Sequence, residues 1–514
     1  MLLFSFICLC SIFAAIANAD CVVKDYDKVD CGFNGITQSS CEAKSCCWAN
    51  STTSGIPWCF YQAGTPSASS CFGMQASVQE PFSADEVRIM RGYFMKNINI
   101  NGQGGIVAAP DYDTPGGSYY YHWMRDGALT MRSLQETASS FSEVEDTVKS
   151  YVKWVLKVQN EADPNGIDVR TEPKFMLPNG EVFSAGWCRP QNDGPGLRAI
   201  TLMIAAESLM DNSETPYVQQ YLWTGNPNSY HGGAIKYDLD YIITGYNSNT
   251  CDLWEEIKDT DMFWNRITMK KALIMGAKFA TKMGDSASAA QYTATMNLIN
   301  ATLYSNHFNG GFVQETNSRT RDSAVIVGFN DGFDESDSQF APTSYEVAAT
   351  VSSYNTMFCS QYAINTADTA NKIPGVLYGR YQGDTYAGGN PWVLSTSALA
   401  GLFYRGANYI LANGLPSSDA LAMWQKAFNS PVPLSTSSVC AVAEIFAAQG
   451  DGVMLRLRSH VLARGFHLDE QIDRNSGQQC SAEDLTWSYA ETLNAMHWRD
   501  LYQRKASVIR CAMP

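Results

Sequence analysis

The chain has 514 residues and a formal net charge of −15 at pH 7, because 51 Asp and Glu residues outnumber 36 Lys and Arg residues. Such an acidic chain is a poor partner for nucleic acids or anionic membranes, since binding phosphate requires clustered basic side chains. The charge suits a neutral substrate, and it suits simple solubility equally well. The length allows several domains, although a single large helical barrel could also use most of it.

The N-terminus has the pattern of a secretory signal. Residues 1–19 contain no charged side chain, and an almost unbroken apolar run over 2–16 is followed by the small residues Ala17 and Ala19. The run is too short to span a bilayer comfortably, and no later stretch is apolar for long enough. We therefore predict a signal peptide over 1–19, although the usual basic start is missing, and a secreted or lumenal chain with no membrane partner.

Cysteines are concentrated directly after this segment. Six of the 15 stand between residues 21 and 59, namely Cys21, Cys31, Cys41, Cys46, Cys47 and Cys59. So short a segment has no room for a large hydrophobic core and needs covalent staples, which form in an oxidising compartment. Spacing alone leaves about fifteen ways to pair them.

This segment resembles the trefoil (P-type) module. The resemblance is carried by the six spaced cysteines, the sequence DCGFNGITQSSC and the CCW that ends at Trp48. It implies a domain over 20–62 with the disulfides Cys21–Cys47, Cys31–Cys46 and Cys41–Cys59. Trefoil modules accompany mucins or starch-digesting enzymes. Contact with a carbohydrate or mucin is therefore one expectation, and a purely structural or protease-resisting appendage is the other.

The small polar residues at 64–70 predict a flexible linker over 63–71. Beyond it, apolar residues recur at helical spacing, and convincing alternating strands are few. The clearest helical segments are 129–141, 148–158, 197–210, 264–283, 289–304, 345–364, 393–412 and 439–448. About a dozen helices with long connectors predict a mainly α fold, a helical toroid whose connectors build a site at one end.

Several kinds of site can be set aside. The six His are scattered, with no HExxH pair or zinc-like Cys/His cluster, and there is no GxSxG elbow, P-loop or dinucleotide fingerprint. We therefore predict no metal and no cofactor. The connectors are instead crowded with aromatic, acidic and Arg residues. Carboxylates for acid–base work and aromatic faces for stacking indicate a carbohydrate site.

Glycoside hydrolysis needs one carboxyl group that stays protonated and one that is ionised. The sequence DLWEE at 252–256 places two acids beside an indole. On its own this pattern is more typical of a solvated helix start than of a catalytic site, so its meaning depends on the surrounding sequence.

The chain from about residue 72 to the C-terminus resembles glycoside hydrolase family 15, the glucoamylases. Five segments in the family's order carry the resemblance: YYYHWMRDGALTMRSL (119–134), GWCRPQNDGPGLRA (186–199), CDLWEE (251–256), YGRYQGDTYAGGNPW (378–392) and DEQIDRNSGQQCSAEDLTWSYA (469–490). The resemblance implies an (α/α)6 barrel, a toroid of six helical hairpins, as a catalytic domain over 72–514. This fold agrees with the helical pattern.

The resemblance assigns the two catalytic carboxyl groups. Glu255 is expected to be the general acid that protonates the glycosidic oxygen, and Glu470 the general base that activates a water. Acting from opposite faces of the sugar, they would invert the anomeric centre and release β-glucose from an α-linkage. Inversion requires a gap of roughly 6.5–9.5 Å between them. An acidic optimum follows, because Glu470 must be ionised while Glu255 is protonated.

The resemblance also assigns residues that bind the terminal glucose. Arg125 and Asp126 match a pair that hydrogen-bonds its hydroxyls, and Arg380 with Asp384 matches a second polar group. For both pairs an ordinary salt bridge is the alternative. The other substrate-binding predictions are Tyr119, expected near the catalytic water, Trp187, expected to support the acid, and Trp123, Trp254, Glu256, Tyr381 and Trp487.

Departures from the family pattern stand near the site. Cys188 and Cys251 replace a Gly and an aromatic residue that are common there, and Glu483 replaces a frequent Arg. The two thiols form either a local disulfide or buried free cysteines. Seven cysteines follow the trefoil segment, so at least one is free or pairs between chains. These seven are Cys71, Cys188, Cys251, Cys359, Cys440, Cys480 and Cys511. Asn50 and Asn300 stand in N-glycosylation patterns.

The resulting prediction is a secreted, monomeric exo-hydrolase that removes glucose from non-reducing α-1,4 ends of starch or malto-oligosaccharides, with slower α-1,6 cleavage. The helical pattern runs to Cys511 and leaves no room for the C-terminal starch-binding domain of many fungal relatives. We therefore expect soluble dextrins to be preferred to granules unless the trefoil segment substitutes. The alternatives are a trehalase or glucodextranase of the same fold, and a carbohydrate-binding protein that has lost catalysis.

Overall fold

The computed structural model of the chain describes residues 21–25, 28, 36–43, 46–53, 56–60, 62 and 71–511. The predicted signal peptide, residues 63–70 of the predicted linker, and Cys31 with its predicted bond to Cys46 lie outside these residues. In the described part the α-helices are α1 (Gln38–Ala43), α2 (Ala84–Lys96), α3 (Met124–Glu136), α4 (Phe141–Val158), α5 (Asp193–Asp211), α6 (Thr215–Tyr217), α7 (Ala234–Gly245), α8 (Phe263–Lys282), α9 (Ser286–His307), α10 (Ala324–Asp331), α11 (Tyr345–Gln361), α12 (Ala363–Ala370), α13 (Val393–Asn413), α14 (Ser418–Ala427), α15 (Val439–Val461) and α16 (Thr486–Ile509).

The described strands are short and form four antiparallel pairs, β1 with β2, β3 with β4, β5 with β6 and β7 with β8. Their bounds are β1 (Cys47–Trp48), β2 (Cys59–Phe60), β3 (Tyr121–Trp123), β4 (Lys174–Met176), β5 (Thr250–Cys251), β6 (Lys258–Asp259), β7 (Gln471–Ile472) and β8 (Gln479–Cys480). The last three pairs lie in connectors between helices, and β3 with β4 joins two different connectors, so the pairs shape loops rather than build a sheet.

Six helices pack side by side in a closed ring. Along the ring α3 contacts α5, α5 contacts α8, α8 contacts α10, α10 contacts α13, α13 contacts α16, and α16 returns to α3. Before each inner helix the chain passes through an outer one, in the order α2, α4, α7, α9, α11 and α15. The prediction of an (α/α)6 barrel of helical hairpins is therefore confirmed.

The burial of each helix reflects its layer. α13 is buried along almost its whole length, and apolar or small residues predominate on every face. α4 instead buries Val144, Val148, Tyr151 and Val155 at helical spacing and leaves charged residues outside. A helix enclosed on all sides tolerates apolar residues all round, whereas an outer helix needs one polar face.

The two layers also differ in how their helices begin. Outer helices α2, α11 and α15 start after a Ser whose side chain accepts a hydrogen bond from the first turn, as Ser83 does from the Glu86 amide. None of the six inner helices has a side-chain hydrogen bond from its own N-cap residue. In two of them an acid outside the N-cap position accepts a hydrogen bond from an amide of the first turn. Glu315 accepts from the Trp264 amide, and Asp322, just before the N-cap of α10, accepts from the Ala324 amide.

Helix existence was predictable from periodicity, but several predicted boundaries are wrong. The segment predicted at 129–141 is helical only to Glu136, and α4 begins at Phe141. The segment predicted at 345–364 breaks at Tyr362. The segment predicted at 439–448 continues through two glycines to Val461. Gly450 is needed there because a Cβ would lie 2.6 Å from the Tyr404 ring.

The cysteines are used largely as pairs. Cys21–Cys47 and Cys41–Cys59 hold the N-terminal segment, as the trefoil resemblance implies. The later disulfides are Cys71–Cys359, Cys188–Cys251 and Cys440–Cys511. Among the described residues the one free thiol is Cys480, which accounts for the odd number.

The two predicted glycan acceptors differ in exposure. Asn50 is exposed, whereas Asn300 is half-buried within α9, so the first side chain is the more accessible of the two predicted glycan acceptors.

Within the described part of the chain, every helix is too short or too polar to cross a membrane.

Candidate active site

The connectors that lead from outer to inner helices meet at the N-terminal end of the inner ring and surround a cavity of about 280 Å³. Five of the six connectors, or the first turns that follow them, line this cavity. Its walls are Ala108, Gly116, Tyr119, Trp123, Arg125, Asp126, Trp187, Cys188, Leu253, Trp254, Glu255, Glu256, Arg380, Tyr386, Trp392, Glu470, Leu485 and Trp487. The inner helices close it below, so the cavity ends inside the barrel.

Glu255 lies at the tip of the β5–β6 hairpin. Asp252 fixes this tip, because its carboxylate accepts hydrogen bonds from the amides of Glu256 (2.7 Å) and Ile257 (2.9 Å). The φ angle of Glu255 is +68°, in the left-handed region. A non-glycine residue there costs about 1–2 kcal/mol, and such conformations cluster at functional sites.

One oxygen of Glu255 is held by several donors. Its Oε1 accepts hydrogen bonds from Trp123 Nε1 (2.8 Å) and Gln191 Nε2 (2.8 Å), and Arg125 Nη2 lies 3.6 Å away. Among the described residues no side chain donates to Oε2. This arrangement orients the carboxyl group and leaves Oε2 as the atom that can carry a proton into the cavity.

Glu470 precedes the β7–β8 hairpin, and its backbone extends that pairing through Ala482. Its Oε1 accepts from the Tyr119 hydroxyl (2.8 Å), and its Oε2 accepts from Gln471 Nε2 (3.1 Å) and from the Ser481 hydroxyl. The residue is 1% exposed. Burial raises the pKa of Glu470, and the hydrogen bonds from Ser481 and Tyr119 offset part of that rise.

The two acids approach the cavity from opposite sides. Glu255 lies on the connector into α8 and Glu470 on the connector into α16, which are the third and sixth helices of the ring. Their hydrogen-bond partners form two separate sets. Both carboxyl groups therefore face one cavity, each held by its own set of donors.

A basic and acidic pair lies in the first turn of α3. Arg125 donates to Gln191 Oε1 (3.0 Å) and to Asp193 Oδ2 (3.0 Å), and its Nε has no hydrogen-bond partner among the described residues. Burial raises the pKa of Asp126 to about 7, although the neighbouring Arg125 opposes this effect. Both residues line the cavity and are over nine-tenths buried, so they offer polar contacts to a ligand that has displaced water.

Arg380 forms a second polar cluster. It makes a bidentate contact with Asp384, at 2.8 and 2.6 Å, and a 2.8 Å ion pair with Glu256. Glu256 also accepts from the Tyr381 hydroxyl and from Arg319 Nη2 (2.8 Å). The fork geometry of the Arg380–Asp384 pair orients the guanidinium towards the cavity.

Aromatic rings provide much of the remaining wall. Trp254 stacks at 6.5 Å from Trp487 and meets the edge of Trp392 at 5.3 Å, while Trp123 meets Trp187 at 5.8 Å. Behind the second pair, the Lys174 ammonium lies 4.4 Å from the Trp123 ring and 3.8 Å from the Trp187 ring. Such cation–π contacts hold the indoles in place, and the exposed ring faces suit sugar C–H groups.

The structure brings most of the sequence-predicted residues into one cavity. Eleven line it directly: Glu255, Glu470, Tyr119, Trp123, Arg125, Asp126, Trp187, Trp254, Glu256, Arg380 and Trp487. Tyr381 and Asp384 do not line it and instead hold Glu256 and Arg380.

Four polar or aromatic contributors were not predicted as site residues. Gln191 and Ser481 bond the two acids, and Tyr386 and Trp392 line the cavity. All four lie inside the segments that carry the family resemblance, but nothing in their residue types singles them out.

The Cys188–Cys251 disulfide joins two walls of the cavity. Cys188 follows Trp187 in the connector into α5, and Cys251 is the β5 residue four positions before Glu255. Of the two states expected for these thiols, the structure contains the local disulfide. It ties the acid's hairpin to the segment that carries Gln191.

Comparison with known proteins agrees with this geometry. The family described as Glycosyl hydrolases family 15 matches residues 89–497, and the Trefoil (P-type) domain matches residues 21–62. The chain is 32% identical to Glucoamylase-1 of Schizophyllum commune, with 83% of this chain and 75% of the relative covered. It is 31% identical to the Glucoamylase of Blastobotrys adeninivorans, with 82% and 71% covered.

Solved structures lead to the same group. The Glycoside Hydrolase Family 15 Glucoamylase from Hypocrea jecorina superimposes with a TM-score of 0.71 at 27% identity, covering 84% of this chain and 74% of that one. The helical ring, the two separately held carboxyl groups and these likenesses agree. This chain belongs to glycosyl hydrolase family 15 and carries an N-terminal trefoil (P-type) domain.

Proposed function

We propose that the chain is a secreted, inverting exo-acting α-glucosidase, a glucoamylase that releases β-D-glucose from the non-reducing ends of starch, glycogen and malto-oligosaccharides. The observation that carries this proposal is that Glu255 and Glu470 face one cavity from opposite sides of the ring, each with different hydrogen-bond partners. Relatives that bear the name glucoamylase, alike over most of their length, support the substrate class.

The hydrogen bonds around the acids support their roles. Protonated Glu255 gives its proton to the glycosidic oxygen as the bond from that oxygen to the anomeric carbon breaks. A water held by Glu470 attacks the anomeric carbon from the other face and passes its proton to that carboxylate. All three side-chain contacts of Glu470 come from groups able to donate, which favours its ionised form.

The shape of the cavity supports cleavage at chain ends. Connectors surround it and packed inner helices close it below, so a polymer can enter by its terminus but cannot run through. Arg125, Asp126 and Arg380 then face the hydroxyls of the terminal unit, where a fork of donors and a carboxylate can satisfy neighbouring hydroxyl groups. The aromatic walls would stack on its rings.

Secretion, a monomeric state and carbohydrate or mucin contact through the trefoil domain are parts of the same proposal. Secretion is supported by the apolar N-terminal sequence and by the disulfides, which form in oxidising compartments. Exposed Trp58, which meets Trp48 edge to face at 6.0 Å, supports sugar contact through the trefoil domain.

The test is glucose release from maltotriose, isomaltose and trehalose by the wild type, Glu255→Gln and Glu470→Gln. Exposed Glu80 supplies a matched control as Glu80→Gln. We expect maltotriose to be the preferred substrate and both site variants to be nearly inactive while Glu80→Gln keeps wild-type activity. Preference for trehalose would identify the same-fold alternative. No hydrolysis with retained maltotriose binding would identify a carbohydrate-binding protein.

A further inference from the structure

A second cavity, of about 640 Å³, opens at the opposite end of the barrel and is lined by inner helices α3, α8, α13 and α16 and by the segment between α10 and α11. Five basic side chains and three carboxylates line it: Arg132, Lys271, Lys278, Arg405, Lys505, Glu136, Asp334 and Glu335. In a chain whose net charge is −15, a cavity with excess basic side chains is unusual. The proposed glucosidase activity uses none of these residues.

Three of the five cations have acceptors. Arg132 donates to Glu136 Oε1 (2.8 Å) and to Asp331 Oδ1 (3.2 Å). Lys278 contacts Ser336 at 3.0 Å, and Lys505 contacts the Asn408 carbonyl at 3.4 Å. Each of these three cations therefore has an acceptor within the protein and needs no ligand.

Lys271 and Arg405 are different. Each is only 8% exposed, yet neither side chain has a hydrogen-bond acceptor or an ion-pair partner within 4 Å among the described residues. The Arg405 guanidinium lies 4.2 Å over the Trp498 ring, a contact that leaves its N–H donors unused. Neither residue stands in the last turn of its helix, so the helix dipole does not explain its position.

The carboxylates near Lys271 and Arg405 offset only part of the positive charge around them. Burial, with the nearby guanidinium groups of Arg132 and Arg405, lowers the pKa of Lys271 to about 7. Burial and Arg132 lower the pKa of Arg405 to about 10. Glu136 and Asp331 offset part of the charge, whereas burial raises the pKa of Glu491 to about 8, which reduces its contribution near neutral pH.

We propose that this cavity binds a small oxyanion between the Lys271 ammonium and the Arg405 guanidinium. Both groups are donors only, and a guanidinium fork matches phosphate or carboxylate oxygens in two-point contacts. The volume exceeds that of a water cluster, and the apolar rings of Phe333, Tyr409 and Trp498 form part of the wall. Inorganic phosphate and small carboxylates share this chemistry.

The test uses the full-length protein titrated with sodium phosphate and, separately, sodium citrate, each at an ionic strength held constant with sodium chloride. Calorimetry gives the dissociation constant, and thermal unfolding gives the stabilisation expected of a ligand that binds the folded state alone. The variants are Lys271→Met and Arg405→Gln. Lys282→Met is the matched control, because Lys282 lies on the same helix but outside the cavity and is exposed.

We expect saturable binding to the wild type and to Lys282→Met, and at least tenfold weaker binding to both cavity variants. Binding of phosphate alone, or of citrate alone, would support the site and identify its ligand class. If neither anion binds saturably, or if Lys271→Met and Arg405→Gln bind as tightly as the wild type, the proposal is overturned. Arg405→Gln decides the question should Lys271→Met fail to fold.

Discussion

The two ends of the barrel are built from different parts of the same hairpins. At the N-terminal end of the inner helices, connectors supply the cavity walls, and Glu470 and Arg380 each have two or more side-chain partners. At the C-terminal end, inner helices supply most of the wall together with the segment after α10, and Lys271 and Arg405 have no acceptor within the described chain.

In this fold the two sites differ in how their charged groups are held. A group that exchanges a proton has to be held in one orientation, so several donors surround it. A buried cation without an acceptor from the protein gains most from a bound anion. The following changes test that contrast, beginning with the largest expected effect.

Replacing either site carboxyl group should cost the most. We expect Glu255→Gln and Glu470→Gln each to lower kcat on maltotriose by about 10²- to 10⁴-fold, because each removes one proton transfer. Circular dichroism should report intact folding in both. Activity within tenfold of wild type for either variant would remove that residue from its proposed role.

Removing the Cys188–Cys251 disulfide should affect stability and catalysis together. We expect the double variant Cys188→Ser with Cys251→Ser to lose about 2–4 kcal/mol of unfolding free energy, as is typical of a native disulfide. It should also lower kcat, since the bond ties the hairpin of Glu255 to its neighbouring wall. Urea unfolding and initial rates measure the two effects.

The matched control for that change is the Cys440–Cys511 bond, which joins α15 to the segment after α16 and lies away from the site cavity. Replacing both of its cysteines with Ser should cost a similar unfolding free energy and leave kcat unchanged. Equal losses of kcat in the two double variants would mean that stability, rather than position, explains the effect.

Removing the Ser481 hydroxyl should move the pH profile. The hydrogen bond from Ser481 favours ionised Glu470 and so lowers its pKa, in opposition to burial. Ser481→Ala therefore raises that pKa, and the acid limb of kcat should shift upward by up to about one pH unit. A profile measured from pH 3 to 8 that moves downward would contradict the proposed base.

The smallest expected effect lies at the far end of the barrel. Because the folded-state pKa of Lys271 is lowered to about 7, the unfolded chain binds more protons above that pH, and stability gains from this group as pH rises. Lys271→Met should remove a slope of about 1 kcal/mol per pH unit between pH 8 and 9. Urea unfolding of both proteins without added anion measures the difference. Equal slopes would show that Lys271 does not titrate there.

Much of the fold was predictable because helical periodicity survives in both layers of the barrel. The starts of the inner helices were harder to predict, because none has a side-chain hydrogen bond from its own N-cap residue. Trp123 precedes α3 and Leu485 precedes α16, and neither is a capping side chain. Glycine often ends a helix, but Gly450 lies inside α15, where it makes room for the Tyr404 ring.

A site residue was predictable where the family resemblance assigns it a role. It was not predictable where its role comes only from contacts in the folded chain. Glu255 and Glu470 stand in segments that resemble the family. Gln191 and Ser481 are uncharged polar residues. They matter because Gln191 bonds Glu255, 64 positions away in the sequence, and Ser481 bonds Glu470, 11 positions away. The far cavity has no sequence signal, because Lys271 and Arg405 come together only when the ring closes.

The most direct test of the central claim is proton NMR of the anomeric signals during the first minutes of maltotriose hydrolysis. We expect β-glucose to appear first and the α-anomer to follow by mutarotation, since water attacks from the face opposite the departing bond. Initial release of α-glucose would mean a retaining mechanism, and it would contradict the assignment of Glu255 as acid and Glu470 as base.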